Sequence, residues 1–324
     1  MSVHVDDYTI MCDSTEYYNN LMTHFKKYVE IEEKGTPKII LQMGLTWSPN
    51  LDVVSFSQKR QIIRLYHEYS SEIRKHGVKR HDTPMEAELK LYAGDKENLP
   101  DVPYRSAIGA MLFIARMSRP DILYAINVLS RLNTCYTIQH WKYVLRVIVY
   151  LFHTVDLQLT YRKNPESART LVQYCDSSHG DDKQDGTSTC GNITYMYGNA
   201  ASWNIEKQID VSLSTSEAEY KTLTYAFRDG MYFYNIFHSE LKLTHWFPIL
   251  TYLDNKGAGY MAETAQNNKR TKHIHIQYHF VREKVQQRIH ELEYVESANN
   301  ISDIFTKPLP KGSFEKFRKL MMNY

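Results

Sequence analysis

Four acidic residues in the C-terminal half of the chain lie where packing alone does not explain a carboxylate: Asp176, Glu219, Asp254 and Asp303. Asp176 and Asp254 end apolar, strand-like runs, whereas Glu219 and Asp303 lie in helix-like segments. A carboxylate at the end of a buried strand loses hydration energy unless a positive charge compensates it. Because Mg²⁺ prefers carboxylate oxygens, acids that converge on one point indicate a site for divalent cations. The pattern predicts a metal-dependent nuclease.

The chemistry of such a site sets requirements on the fold. Hydrolysis of a phosphodiester by two metal ions requires carboxylates that hold the ions roughly 3.5–4 Å apart, so that one ion activates water and the other stabilises the leaving oxygen. We expect Asp176 at the end of the first strand of a sheet and Asp254 at the end of the fourth strand beside it. Glu219 would project from the first turns of a long helix, and Asp303 from a last helix would close the site.

The composition is that of a globular chain with two or more domains. Its 324 residues exceed one ordinary core, and 43% hydrophobic and 23% charged residues are typical of soluble folds. The net charge of +2 does not by itself indicate a nucleic-acid partner. The four cysteines show neither metal-ligand spacing nor a disulfide framework, which favours a reducing compartment. They are Cys12, Cys135, Cys175 and Cys190.

No segment predicts a membrane partner or a secretory route. The longest apolar stretch, Ala107 to Ala115, is too short to span a bilayer. The N-terminus has neither the basic start nor the apolar run of a signal peptide. Gly109 and the glycines at 257 and 259 form no phosphate-binding loop, so we expect no small-molecule cofactor. These observations predict an intracellular protein, cytoplasmic or nuclear.

The order of predicted elements divides the chain into three regions. Residues 1–50 hold short strands and one helix, an α+β segment too small for a core, which indicates the tail of a truncated domain. Residues 51–163 are mainly helical, and a boundary falls at 164–168. Residues 168–324 predict an α/β domain with a mixed five-stranded sheet and flanking helices. Its strands are predicted at about 170–176, 190–197, 200–205, 249–254 and 290–295, and its helices at about 214–240, 257–264, 273–287 and 300–306.

The segments around the acids resemble the ribonuclease H domain of copia-type (Ty/copia) LTR retrotransposon Pol polyproteins. These segments are residues 174–176, 214–220, 253–258 and 302–309. Residues 270–283 are similar to another block of that family, and residues 104–122 to the segment that links polymerase to nuclease. Asp6 and Asp7 resemble the catalytic turn of the reverse transcriptase palm, and residues 42–45 fall where that fold has its primer-gripping hairpin. The resemblance covers essentially the whole chain.

This resemblance implies a C-terminal Pol fragment. It would hold the end of a reverse transcriptase palm at 1–50, a helical thumb and connection region at 51–163, and a ribonuclease H-like domain at 168–324. The family's activity implies cleavage of the RNA strand of an RNA–DNA hybrid, with water as nucleophile and two Mg²⁺ or Mn²⁺ ions as cofactor. Other Pol segments are further candidate partners. Asp6 and Asp7 would be orphaned polymerase ligands, because the remaining palm Asp would precede Met1, so we expect no DNA synthesis.

Two of the four acids have an alternative reading. Glu217 could replace Glu219 as the ligand. However, Glu217 could instead stabilise the start of the helix, where a negative charge is favourable. The resemblance places the ligand just before Tyr220, which favours Glu219. Asp303 could instead be a helix cap or a surface acid.

Four basic residues are candidates for contacts with the hybrid backbone, which position nucleic acid without reading its sequence. They are Lys269, Arg270, Lys272 and Arg282.

Four positions depart from the family pattern. Ser178 and His179 stand where the family has a second Asp and a Trp, His275 replaces an Asp, and His4 stands where the polymerase motif has Tyr. None of these changes removes a predicted nuclease ligand. Two hypotheses therefore stay open: an active ribonuclease H, or an inert relic that at most binds nucleic acid. Stabilisation of the fold by Mg²⁺ or Mn²⁺ would distinguish them, because a ligand that binds only the folded state raises its stability.

Overall fold

The structure, a computed structural model, describes residues 2–4, 7–10, 12, 14–87, 91–164, 170–182, 185–263 and 275–324. Its N-terminal segment begins with a hairpin of β1 (Ser2–His4) and β2 (Asp7–Thr9), followed by helix α1 (Thr15–Phe25). Ser14 caps this helix, because its Oγ accepts a hydrogen bond from the Tyr17 amide at 3.2 Å. Asp6 and the side chain of Asp7 lie outside the described residues, so their predicted role stays a prediction.

A four-stranded antiparallel sheet joins distant parts of the sequence. Its strands, in spatial order, are β3 (Ile39–Ile40), β4 (Met43–Trp47), β5 (Val53–Ser57) and β6 (Leu159–Arg162). Strands β3 and β4 are two of the short strands predicted within residues 1–50, and Leu41 and Gln42, both at positive φ, form the turn between them. The pairing of β5 with β6 was not predicted; the hydroxyls of Ser55 and Thr160 lie 3.0 Å apart across it. The predicted regions 1–50 and 51–163 therefore share one sheet.

Five helices lie between β5 and β6 in the described sequence: α2 (Lys59–Glu68), α3 (Ser70–Lys75), α4 (Tyr104–Met117), α5 (Leu123–Ser130) and α6 (Ile138–His153). The first two of these helices are separated at Tyr69, which ends the helical hydrogen bonding of α2. Pro120 opens a 3₁₀ turn that leads into α5, a position that suits its fixed φ. Thr137 starts α6 with a capping box, in which its Oγ accepts from the His140 amide at 3.3 Å.

The C-terminal half is built on the predicted mixed five-stranded sheet, which is confirmed. Its strands are β7 (Leu171–Ser178), β8 (Thr189–Met196), β9 (Asn199–Lys207), β10 (Ile249–Leu253) and β11 (His290–Tyr294). The spatial order is β11-β10-β7-β8-β9. Strands β7, β8 and β9 form an antiparallel meander, whereas β10 runs parallel to both β7 and β11. The strands β7 and β10 are adjacent inner strands, and their carboxyl ends therefore lie next to each other at the same end of the sheet.

Helices cover both faces of this sheet. They are α7 (Thr215–Phe233), α8 (Lys256–Glu263), α9 (His275–Gln286), α10 (Asp303–Thr306) and α11 (Lys311–Met322). The helix predicted at 214–240 is α-helical only to Phe233 and continues as a π-helix over Tyr234–Glu240. Helix α11 was not predicted. Across the described ranges, no helix is long and apolar enough to cross a membrane.

The two larger hydrophobic cores of the described chain lie on opposite faces of the sheet, as the alternation of side chains along β7 shows. Cys175 belongs to the core beneath α7, α8 and α9, whereas its neighbour Tyr174 packs against the other core. That second core is continuous with the helices that precede the sheet, and the Trp203 indole donates to the carbonyl of Ala115 at 3.1 Å. The helical region and the sheet therefore bury one common apolar surface.

A buried ion pair ties the helical region to the C-terminal helix. Arg119, 1% exposed, makes two parallel hydrogen bonds to the Asp121 carboxylate, at 2.9 and 2.8 Å. Its remaining donors reach the carbonyl and hydroxyl of Thr154 at 3.1 and 2.7 Å. The Tyr150 hydroxyl donates to Asp121 at 2.6 Å and accepts from Arg318 of α11 at 2.9 Å. Burial alone would raise the pKa of Asp121, but Arg119 and Tyr150 hold that pKa below its ordinary value.

Replacing Arg119 by methionine should destabilise the fold strongly, because Asp121 would remain buried without its charged partner. We expect a loss of about 3–5 kcal/mol in the free energy of unfolding. Urea denaturation of the two proteins measures it. Arg60→Met, at an exposed arginine of α2, serves as control and should change stability by less than about 0.5 kcal/mol. Equal effects of the two substitutions would show that the ion pair does not support the fold.

Candidate metal centre

Two of the predicted acids lie at the carboxyl ends of adjacent parallel strands. Asp176 is near the end of β7, and Asp254 follows β10 directly. Tyr174 and Tyr252 are paired across the two strands, so the two acids, each two residues further on, lie side by side. Asp176 is buried and Asp254 is half-buried. The predicted placement of these two acids is what the structure shows.

Glu219 joins them from the second turn of α7. Ser214 starts this helix by accepting a hydrogen bond from the Glu217 amide at 3.2 Å. The Glu219 side chain, 6% exposed, accepts from the Ser177 amide at 3.2 Å through Oε1. One carboxylate oxygen from each of Asp176, Glu219 and Asp254 lies within 4.8 Å of the other two. Oε2 of Glu219 is buried and has no hydrogen-bond partner among the described residues.

Glu217, the alternative to Glu219, is engaged elsewhere. Its Oε2 accepts a hydrogen bond from the Leu213 amide at 3.1 Å, and its Oε1 lies 3.0 Å from the ammonium of Lys221. Both contacts are made at the start of α7, where an acid also interacts favourably with the helix dipole. The structure therefore brings Glu219, and not Glu217, to the other acids.

Asp303 lies beside Asp176, at the start of the short helix α10, and is buried. Its Oδ1 forms an ion pair of 2.9 Å with Lys307, whose ammonium is 3.9 Å from Oδ2 of Asp176. The hydroxyl of Thr306 donates to the same oxygen of Asp176. Asp303 is thus next to the cluster, and its Oδ1 is ion-paired with the lysine that follows its own helix.

A glycine allows α10 to approach the sheet at this point. Gly191 of β8 is paired with Asp176 across the strands. A Cβ atom at Gly191 would lie 2.6 Å from Cβ of Phe305 and 2.9 Å from Cγ2 of Thr306, so a side chain there would push α10 away. Asn300 fixes the same segment by donating to the carbonyl of Cys175 at 2.9 Å. Neither residue is predicted by the sequence, because neither carries a charge or a strand-end signal.

The half-buried Asp254 is oriented from the other side. Its Oδ2 accepts a hydrogen bond from the Ser297 hydroxyl at 2.6 Å. The next residue, Asn255, caps α8 by accepting from the Ala258 amide at 3.0 Å, and it also accepts from the Ser216 hydroxyl at 3.2 Å. These contacts link the start of α7, the start of α8 and the end of β10. Asn255 therefore fixes the backbone at the end of β10, and Ser297 orients the Asp254 carboxylate.

The cluster is electrostatically strained without a cation. Burial, followed by the charges of Asp176 and Asp254, raises the pKa of Glu219 well above its ordinary value. Burial also raises the pKa of Asp176, against the lowering effect of Lys307 and Thr306. Burial and the neighbouring Asp176 raise the pKa of Asp303 to about 7. The raised pKa values show that the positive charge of Lys307 does not fully compensate these buried carboxyl groups.

The donor set fits a hard divalent cation. Mg²⁺ and Mn²⁺ take carboxylate oxygens, and a bound cation would favour the ionised form of all these groups. The unpartnered buried oxygen of Glu219 faces a cluster in which only a cation or a proton satisfies it. Among the residues that the structure describes, no His or Cys belongs to the group, which fits a magnesium-type site better than a zinc site.

Of the four basic residues predicted to contact nucleic acid, the structure describes Arg282 alone. Lys269, Arg270 and Lys272 lie outside the described residues. Arg282 of α9 donates to the carbonyl of Met261 at 3.2 Å and lies over the Tyr278 ring, 4.4 Å from its centroid. It thus holds α9 against α8, and its contact with nucleic acid stays a prediction.

The residues that depart from the family pattern are structural in the described part of the site. His179 contacts the carbonyl of Ser212 through Nε2 at 2.8 Å, which joins the loop after β7 to the segment before α7. Ser178 is the last residue of β7 and pairs with Thr189. The side chain of His275 lies outside the described residues. None of these contacts removes an acid from the cluster.

Comparison with known proteins finds transposon relatives along most of the chain. The retrovirus-related Pol polyprotein from transposon RE1 of Arabidopsis thaliana is 29% identical over 319 residues, 98% of this chain and 21% of that protein. The corresponding RE2 polyprotein is 32% identical over 238 residues, 73% of this chain and 16% of that protein. The chain therefore spans about a fifth of the length of these relatives.

A shorter relative matches over most of its own length. A Saccharomyces cerevisiae protein named for transposon Ty5-1 is 30% identical over 224 residues, which cover 68% of this chain and 70% of that protein. No family model matches the chain.

Solved structures with some similarity are ribonuclease H domains. RNase H1 isolated from compost is 13% identical, with 46% of this chain and 97% of that chain covered and a TM-score of 0.34. The N-terminal RNase H domain of a Mycobacterium tuberculosis protein gives a TM-score of 0.30 at 13% identity, with 46% and 96% covered. The family of this chain is therefore assigned from its sequence relatives and not from these structures. The chain belongs to the family of copia-type retrotransposon Pol polyproteins.

Proposed function

We propose that this chain carries a ribonuclease H centre, which hydrolyses the RNA strand of RNA–DNA hybrids with Mg²⁺ or Mn²⁺. The observation that carries the proposal is the convergence of Asp176, Glu219 and Asp254 within 4.8 Å, with an unpartnered buried oxygen on Glu219. Membership of the Pol family supports it, because the acids lie in the segments that resemble the family's nuclease. Asp303, beside Asp176, is the proposed fourth acid.

The proposed role of each acid follows from its burial. Asp176 and Glu219 are buried and fixed by Thr306 and the Ser177 amide, so they would form the rigid inner side of a divalent metal site. Asp254 is half-buried and would form the side that faces substrate. When bound, two divalent ions supply the chemistry, since they lower the pKa of water and stabilise the leaving oxygen.

The proposed substrate is a hybrid duplex and not a particular sequence. Phosphate contacts position a nucleic acid, and recognition of a hybrid would use its shape and its 2′-hydroxyl groups. The proposed backbone contacts come from Lys269, Arg270, Lys272 and Arg282, which lie on or before α9 in the sequence. Other Pol segments remain proposed partners. We propose no DNA synthesis by this chain, and the assignment of 1–50 to a palm, 51–163 to a thumb and connection, and 168–324 to the nuclease remains part of the proposal.

Replacing Asp176 by asparagine should abolish hybrid cleavage with little effect on folding, because the substitution removes a charged ligand but keeps the side-chain volume. We expect a loss larger than the about 10–100-fold that follows removal of an outer-shell partner of a metal. A labelled RNA–DNA hybrid, incubated with Mg²⁺, with Mn²⁺ and with chelator, provides the assay.

Glu217→Gln is the matched control for this assay. Glu217 is two residues from Glu219 on the same helix, but its contacts are with Leu213 and Lys221. It should therefore retain cleavage within a fewfold of the unmodified chain. Retained cleavage in Asp176→Asn would refute the assignment of the centre. A folded, unmodified chain that cleaves no hybrid with either metal would favour the inert relic.

The pH dependence of stability in chelator should reveal the cluster. The folded chain holds protons on Glu219, Asp176 and Asp303 at pH values where the unfolded chain has released them, because burial raises these pKa values, that of Asp303 to about 7. Between the ordinary carboxyl pKa of about 4 and that value the folded state binds more protons, so the cluster's contribution to stability falls as pH rises.

Glu219→Gln isolates this contribution from the other titrating groups. We expect the unmodified chain to gain stability relative to Glu219→Gln as pH falls from about 8 to about 5, measured by urea denaturation in chelator. Parallel stability curves for the two proteins over that range would show that Glu219 does not titrate as part of a buried acidic cluster. Far-UV circular dichroism at each pH provides the control for intact secondary structure.

A further inference from the structure

A short turn after β11 contacts both of the strand ends that carry acids. It consists of residues 297–300 and is called the 297–300 turn below. At its start the Ser297 hydroxyl donates to Oδ2 of Asp254 at 2.6 Å. At its end the Asn300 side-chain amide donates, at 2.9 Å, to the backbone carbonyl that precedes Asp176 in β7. The turn therefore bridges two of the three converging acids.

Hydrogen bonds within this segment fix the separation of the two contacts. The Asn300 amide donates to the Ser297 carbonyl at 3.1 Å, so the residue that touches Asp254 is tied to the residue that touches β7. Asn300 is fully buried, and its Oδ1 accepts from the Ser302 hydroxyl at 2.5 Å. The Asp303 amide donates to the Asn300 carbonyl at 3.2 Å, which joins the turn to the start of α10.

The exposed side of the turn is held by the C-terminal helix. Residues 297–299 are exposed, but the Lys316 ammonium of α11 donates to the Ala298 carbonyl at 2.7 Å and to Oδ1 of Asn299 at 2.9 Å. The chain that enters the turn is also fixed, because the Val295 amide donates to the Leu253 carbonyl of β10 at 2.9 Å. The turn is therefore attached at its entry, its middle and its end.

Such a frame limits how far the carboxylates can move apart, and this limit bears on the size of the ion that they hold. Mg²⁺ requires oxygen ligands at about 2.0–2.1 Å in nearly ideal octahedral geometry, whereas Ca²⁺ takes ligands at about 2.3–2.6 Å in flexible arrangements. Discrimination between such ions depends on the size and flexibility of the ligand set. Carboxylates that cannot separate therefore favour the smaller ion.

We propose, on the basis of the proposed metal-dependent function, that the 297–300 turn makes the centre selective for small divalent ions over Ca²⁺. Ser297 and Asn300 are positioning residues, because they act by holding Asp254 at a fixed distance from Asp176. Loss of either contact lets the two carboxylates separate, which weakens binding of a small ion more than binding of Ca²⁺.

The ratio of the Ca²⁺ and Mn²⁺ dissociation constants tests this inference. Free Mn²⁺, the small-ion probe, is measured by electron paramagnetic resonance during titration of the metal-stripped full chain, and Ca²⁺ is then added as competitor. The variants are Ser297→Ala and Asn300→Ala, which remove the two contacts, and Ser297→Thr, which keeps the hydroxyl. Ser71→Ala, at an exposed serine of α3, is the control.

Mn²⁺ should bind about tenfold more weakly to Ser297→Ala and to Asn300→Ala than to the unmodified chain, as is usual when an outer-shell partner of a metal is removed. The affinity for Ca²⁺ should change less, by about twofold at most, because Ca²⁺ tolerates longer and more variable ligand distances. The preference for Mn²⁺ over Ca²⁺ therefore falls by about fivefold or more in these two variants. Ser297→Thr and Ser71→Ala should keep the preference of the unmodified chain.

Equal losses of Mn²⁺ and Ca²⁺ affinity would show that the turn only supports the fold, which overturns the inference and leaves the proposed function intact. Unchanged affinities in Ser297→Ala and Asn300→Ala would also overturn it. Far-UV circular dichroism verifies folding, and if Asn300→Ala does not fold, the result for the exposed Ser297 decides. Absence of Mn²⁺ binding in every protein, including the unmodified chain, would overturn both the inference and the proposed function.

Discussion

The mutual repulsion of buried carboxylates is the constraint around which this half of the molecule is arranged. Asp176 and Glu219 are buried and lie close to each other, and the buried Asp303 lies beside Asp176. Ionised carboxylates are unfavourable in such an environment unless donors or cations compensate them. The surrounding elements each supply one contact: the Ser177 amide to Glu219, the Thr306 hydroxyl and Lys307 to Asp176. These contacts do not fully compensate the negative charge of the acids. The pKa values of Asp176, Glu219 and Asp303 are raised as a result. Buried acids that the fold keeps together despite the energetic cost of their charge are typical of a functional site.

The rest of the fold serves to hold the strand ends and the short helix together. The parallel pairing of β7 and β10 places two acids side by side, and α7 brings the third. Gly191 permits α10 to lie directly on β8. Helix α11 then fastens this end of the chain to the helical region through Arg318 and Tyr150. The core shared with the preceding helices makes the position of α10 depend on residues far from the acids.

Much of the centre could be predicted from the sequence, because its residues carry local signals. Apolar runs that end in Asp176 and Asp254 predict strand ends, and a mixed sheet follows from three short-linked strands before an alternation of helices and strands. The choice of Glu219 over Glu217 also agrees with the geometry, since an acid at the first turn of a helix has a local role there.

The features that the sequence did not predict depend on long-range packing. The pairing of β5 with β6 joins residues about a hundred positions apart, and no local pattern encodes such a register. No signal in the sequence marks Lys307, and only the structure shows its ammonium 2.9 Å from Asp303 and 3.9 Å from Asp176. In the sequence, a glycine at position 191 only lowers the β-strand propensity. In the structure, its lack of a side chain allows α10 to approach β8.

The central claim is that the converging acids are ligands of a divalent cation and not a defect in the core. Crystals of the full chain soaked with Mn²⁺ test it most directly, through anomalous scattering recorded at the manganese edge. We expect an anomalous peak between the carboxylates of Asp176, Glu219 and Asp254, absent from crystals of Glu219→Gln treated in the same way. A well-ordered structure without a peak at these acids, or with manganese only at surface carboxylates, would contradict the account.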